Sequence, residues 1–144
     1  MLQNNHIEFS HIFEIPWSEF ELRRKKIIDI LNEKELDCMV FFSPQSIYYL
    51  TGWEFFVTER TVAMVIWADS KTDMLVPRLE LEHVQMVAKG IDNIVNYADY
   101  PGYKHPMKYL ANILLARGKV KIGADNSGSP EYQGYVGPKI SEIC

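Results

Sequence analysis

The chain has 144 residues, 47% of them hydrophobic and 24% charged, with a net charge of −4. That balance is globular and excludes a disordered tail, a collagen-like repeat or a disulfide scaffold, and a chain of this length builds about one compact core. The acidic balance argues against nucleic acid as a partner, because phosphate binding needs a basic face, and no apolar run approaches the roughly 20 residues of a bilayer span.

The start, Met1 to His6, has neither a basic nor an apolar segment of the kind that forms a signal peptide. Cys38 lies in an apolar run and Cys144 is the last residue. This usage reads as reduced and cytoplasmic. Residues 1–17 read as an amino-terminal arm and 18–144 as one domain. Residues 7–15 partly alternate, as an extended arm or edge strand would. Ser18 and Glu21 have capping-box spacing, and Trp17 and Leu22 flank them as a hydrophobic staple. The helix they open has an apolar stripe of Leu22, Ile27, Ile28 and Leu31, and fades around Asn32 to Lys34. Its basic run, Arg23 to Lys26, sits among Glu19, Glu21, Asp29 and Glu33, and reads as a solvated face.

Asp37 to Phe42 is a short apolar run suited to a strand covered on both faces. Pro44 opens a helical turn through Tyr49, and Gly52 closes it. Thr61 to Ala68 is a second buried strand. Asp69 to Lys71 turns the chain, and Thr72 to Val76 returns as the hairpin partner. A helix over about 78–89 ends at Gly90, and Ile94 to Tyr97 is a short strand. Asp99 to His105 is a loop. Pro106 stands at the first position of a helix whose Met107, Leu110, Ala111 and Leu114 share a face, and Gly118 ends it. Val120 to Ala124 is the last strand. Ser129-Pro130 looks like another helix start, weakened by Gly134, Gly137 and Pro138. Alternating strands and helices predict a layered α/β domain, and the hairpin makes its sheet mixed.

The chain holds no Gly-x-Gly-x-x-Gly, phosphate loop, Cys-x-x-Cys or Gly-x-Ser-x-Gly. None of its histidines is paired with another at helical spacing. His6 and His11 read as exposed. His83 reads as a surface histidine beside Glu80 and Glu82, against a role at a site. His105 either caps the helix at Pro106 or makes a polar contact at a cleft. Trp53 to Arg60 is long and aromatic for a connection between two buried strands. It is either a loop tucked over the sheet edge or a binding loop with apolar anchors.

Asp37-Cys-Met-Val-Phe-Phe-Ser-Pro-Gln-Ser-Ile-Tyr-Tyr-Leu-Thr-Gly-Trp53 is the most specific stretch. With Arg23 or Arg24 before it, Arg60 ahead of the next strand, and Leu75-Val-Pro77 followed by Leu79-Glu80, it resembles the creatinase/prolidase amino-terminal domain. The likeness runs through most of residues 18–125. Ser46 stands where that family often has Asn. In this turn Ile47 and Leu50 are expected to face the core, and Tyr48 and Tyr49 to lay their rings against the sheet.

The resemblance implies a three-layer α/β domain with a mixed sheet, of the ribonuclease H-like motif. It also implies a parent of the Xaa-Pro dipeptidase (prolidase) or aminopeptidase P kind, in which this domain precedes a carboxy-terminal catalytic pita-bread domain. Such a parent is a metallopeptidase and homodimer that cleaves proline-containing dipeptides. Its two divalent ions, Mn, Co or Zn, are held by two Asp, one His and two Glu, and activate a water. Creatinase-like relatives hydrolyse another C–N bond without the metals, and a free-standing binding or dimerisation module is a third possibility. The family's first ligand pair is Asp-x10-Asp, and no two aspartates here have that spacing. The chain is therefore expected to be the non-catalytic amino-terminal domain, with no metal site or catalytic residue of its own. In relatives this domain helps build the dimer and borders the partner subunit's active site. Trp53, Phe56, Glu59 and Arg60 are the substrate-adjacent candidates, with His105 beside them. The aromatics would shape a prolyl pocket, and Arg60 would face a carboxylate.

Overall fold

The computed structural model describes residues 14–98, 104–128 and 137–144. Helix α1 spans Trp17–Glu33, strand β1 Cys38–Phe41, α2 Pro44–Thr51, β2 Ala63–Trp67 and β3 Thr72–Pro77. A 3-10 turn at Arg78–Glu80 leads into α3, Leu81–Val87. Then come β4 at Asn93–Tyr97, α4 at Pro106–Leu115, β5 at Ile122–Ala124 and a 3-10 turn at Ile140–Glu142. The five strands lie in the order β4-β3-β2-β1-β5. The β1–β2 and β2–β3 pairs are antiparallel, while β3–β4 and β1–β5 are parallel. The mixed α/β sheet is thus as expected, with β2 running against the other four strands.

Alternation along the strands sorts the core into two layers. Phe41, Met64, Ile66, Met74 and Val76 pack with Leu31, Ile47, Leu50, Trp53 and Val84 from the α1, α2 and α3 side. Val40, Val65, Trp67 and Leu75 pack with Met107, Leu110 and Leu114 of α4. Cys38 lies in this second layer, and burial pushes its thiol up to about 12, with Asp37 adding to the effect. The short β5 is tied to β1 at both ends. Asp37 Oδ2 accepts from Lys121 N at 2.6 Å, and the Asp125 carboxylate accepts from Phe42 N and Ser43 N at 2.8 and 3.1 Å.

Three local expectations are corrected. First, α1 begins at Trp17 after Pro16, with no side-chain cap, so the Ser18–Glu21 capping box does not form. Trp17 and Leu22 are exposed, which removes the staple. The inward face is instead Phe20, Arg24, Ile27, Ile28 and Leu31, whose spacing matches the helical period better than a stripe started at Leu22. Second, the basic run is not wholly a solvated face. Arg24 is buried and donates from Nη1 to Leu50 O at 2.8 Å and Lys89 O at 3.1 Å. It ties the end of α2 to the segment after α3. Third, Tyr48 and Tyr49 are half-exposed rather than laid on the sheet. Ile47, Leu50 and Thr51 fill the inner face of α2, leaving the tyrosines outside. Arg23 sits over the Tyr49 ring at 4.3 Å. The helix expected over 78–89 forms as a 3-10 turn plus the shorter α3. The arm through residue 13, the loop at 99–103 and the helix start at Ser129-Pro130 lie outside the described residues.

Candidate functional site

The Trp53–Arg60 loop is built from its anchors outward. Helix α2 is capped by Ser43, whose hydroxyl accepts from Ser46 N, and Pro44 follows at the first position. It stops at Gly52, where φ is 74°. A Cβ there would lie 3.0 Å from the Phe20 ring, so the left-handed turn and the close packing both favour glycine. The buried Thr51 hydroxyl donates to Ile47 O at 2.7 Å and accepts from Trp53 N at 3.1 Å. One side chain therefore closes the helix and aims the next residue into the core.

Trp53 is fully buried, and its indole N–H donates to His83 Nδ1 on α3 at 3.1 Å. A ring nitrogen that accepts this proton carries none of its own, so neutral His83 holds its proton on Nε2. Glu80 Oε2 stands 3.4 Å from the same Nδ1, a contact that is a hydrogen bond only in a form of the ring that carries a proton on that nitrogen. Phe55 stacks on Trp53, with ring centroids 4.4 Å apart and planes 17° apart. Past these anchors the chain turns outward. Phe56 is 95% exposed. Two depressions of about 350 and 580 Å³ flank it and share Tyr48, Glu54 and Phe55 in their walls. The second also takes in Glu80 and His83. Their charged lining residues are the carboxylates Glu54 and Glu80. At the far end Thr58 Oγ1 accepts from Arg60 N at 3.2 Å, and Glu59 lies 3.7 Å from Arg60 Nη1.

The predicted residues divide accordingly. Trp53 belongs to the core and positions the loop; fully buried, it presents no surface to a ligand, which corrects its expected place in a prolyl pocket. Phe56 stands at the apex, and Glu59 is exposed. Arg60 is half-buried beside Glu59 and lines neither depression. His105 is not brought to the loop. It caps α4, its Nδ1 accepting from Met107 N at 3.2 Å, and α4 packs on the opposite sheet face. Sequence reasoning missed Phe55 as a packing plate and Tyr48 as a shared wall. It also missed His83 as the Trp53 acceptor, since thirty positions separate the pair and no local pattern joins them. Among the described residues, no group of three or more His, Cys, Asp or Glu side chains is placed to hold a metal ion. No described helix is long and apolar enough to cross a membrane.

Fold and site together define a three-layer scaffold that presents one aromatic loop on rigid anchors. Residues 23–134 match the creatinase/prolidase N-terminal domain family, and the chain belongs to that family. An uncharacterized peptidase of Staphylococcus aureus strain USA300 is 35% identical over 74 residues, which are 51% of this chain and 21% of that protein. The match thus spans about a fifth of the length of such relatives. Among solved structures, a proline dipeptidase from Streptococcus pneumoniae superposes with a TM-score of 0.61 at 25% identity, over 71% of this chain and 72% of that one. The N-terminal domain of an Xaa-Pro dipeptidase from Lactobacillus brevis gives 0.64 at 18% identity, over 84% and 97% respectively, a likeness of fold.

Proposed function

We propose that this chain is the non-catalytic amino-terminal domain of an Xaa-Pro dipeptidase-like peptidase. In this reading its loop borders an active site that a separate carboxy-terminal domain supplies within a cytoplasmic homodimer. The observation that carries it is the contrast within the loop. Trp53 is buried and hydrogen-bonded, while Phe56, three residues on, is 95% exposed between two depressions. An apolar ring held in water on fixed anchors favours a surface that another part of the assembly covers. The family match and the proline dipeptidase likeness support this class of chemistry, and the free cysteines suit the cytoplasm.

The two divalent ions of the metal-dependent relatives do not fit this domain, because its described residues gather no ligand set for them. The Mn, Co or Zn pair would belong to the catalytic domain. The test uses the full-length peptidase and the 144-residue chain side by side. Phe56→Ala in the full-length enzyme should raise KM for an Xaa-Pro dipeptide about tenfold, a loss of binding rather than of fold. Unchanged kcat and KM would remove the loop from the site. The 144-residue chain alone should cleave no Xaa-Pro dipeptide, and measurable cleavage by it would overturn the non-catalytic reading.

A further inference from the structure

A recess of about 740 Å³, larger than either depression beside Phe56, lies between α1, the turn joining β2 to β3, and the segment Gly90–Asp92. Arg24 forms part of its wall and is only 8% exposed. Its Nη1 is committed to two backbone carbonyls, Leu50 O and Lys89 O. Its Nε and Nη2 make no hydrogen bond to any described residue. Those two nitrogens form the parallel edge that a guanidinium offers to a carboxylate. Gly90, with φ at 71°, lets the guanidinium pack against its backbone; a Cβ there would collide with Nη2.

The other charges of the recess are unequally engaged. Lys25 and Asp29 pair with each other at 2.9 Å. Asp92 pairs with Lys71 at 3.3 Å and accepts from Thr72 N at 2.9 Å. Glu21 makes no hydrogen bond or salt bridge to a described residue, yet its field acts on Arg24 from the preceding turn of α1. The Arg24 guanidinium also lies over the Trp17 ring at 5.3 Å and feels the charges of Glu21 and Asp92, but its Nε–Nη2 edge and the Glu21 carboxylate make no hydrogen bond to a described residue. A simple anion would meet Glu21, and a simple cation would meet Arg24. A molecule carrying both charges satisfies both.

We propose that this recess binds a small zwitterion of the α-amino-acid class, with its carboxylate on Nε and Nη2 of Arg24 and its ammonium on Glu21. The site is separate from the Phe56 loop and stands or falls independently of the peptidase reading. The test is NMR titration of the isotopically labelled chain with glycine and with L-proline, following the Arg24 Nε–H and Gly90 amide signals. Both signals should shift saturably, and acetate and methylammonium should each bind at least about tenfold more weakly. Glu21→Gln, at an exposed helical position, should weaken the amino acids about tenfold and leave acetate unweakened. Arg24→Lys keeps the charge but loses the parallel edge, and should abolish saturation; if it fails to fold, Glu21→Gln carries the test. No saturable shift with either amino acid, acetate binding as tightly as they do, or indifference to Glu21→Gln would each overturn the proposal.

Discussion

Trp53 and Trp67 are both buried in the sheet's core layers, and each indole N–H has an acceptor, but the two corners are built on different scales. Trp67 donates to Asp73 at 2.7 Å, six residues on and across the same hairpin. Arg117 lies 4.1 Å above its ring and donates to Asp69 at 2.6 Å. Closing one local hairpin therefore supplies the acceptor. Trp53 instead depends on His83, beyond both hairpin strands and on another helix. The Trp67 corner closes the β2–β3 hairpin end of the sheet. The Trp53 corner holds a loop open to solvent, and it is assembled only when α3 docks. A site that must present an exposed ring is anchored here by long-range packing, not by its own sequence.

The largest test of that comparison is truncation of the anchor. Trp53→Ala should cost about 3–5 kcal/mol in denaturant unfolding, because it empties a fully buried site beneath Phe55. Gly90→Ala should come next, at about 2 kcal/mol. It combines a left-handed backbone with displacement of the buried Arg24 guanidinium that clamps the same helices.

His83→Ala leaves the buried indole N–H of Trp53 without its acceptor, for a loss of about 1–3 kcal/mol. Asp73→Ala should do the same to Trp67. Only the His83 change should also alter the environment of the 53–60 loop, read as shifts of its amide signals. Equal loop shifts from both variants would dissolve the distinction between the corners.

A smaller effect separates them by pH. Burial, the largest single influence, would raise the Asp69 pKa, but the hydrogen bonds from Arg117 and the Lys71 backbone, with the charges of both residues, together outweigh it, and the carboxyl titrates below its ordinary value. A depressed folded value contributes stability above the unfolded pKa and loses it as the pH falls through the folded one. Asp69 is more than half exposed, so solvent screening holds the contribution under about 1 kcal/mol. Urea midpoints should fall slightly on acidification below about pH 4, and Arg117→Ala should reduce that fall. Smallest of all, Phe56→Ser should leave stability within about 0.5 kcal/mol, since nearly all of its ring is already in water. A larger loss would mean that Phe56 is part of the core and not a presented surface.

Elements whose signals are local were legible in the sequence. Pro44 and Gly52 bracketed α2 correctly, Asp69 to Lys71 turned the hairpin, Pro106 opened α4, and His105 capped it. The start of α1 was misread because capping-box spacing is a local possibility that Pro16 and the packing of Phe20 overrode. The candidate site was legible only in part. A run of three aromatics marked the loop, but composition could not say which ring points inward. That depended on Thr51 turning Trp53 toward the core and on His83 waiting there.

By itself, then, the sequence determined the family, the α/β layering, the mixed sheet and the position of the one unusual loop. Each of these rests on periodicity, turn chemistry or a motif read along the chain. Only the tertiary structure decided that Trp53 is an anchor, that Phe56 is the presented ring, that His105 lies on the opposite face, and that Arg24 is buried inside a run of surface charge. The physical reason is common to all four. Burial and hydrogen bonding are settled by neighbours brought from distant strands and helices, and no pattern within a few residues encodes who those neighbours are.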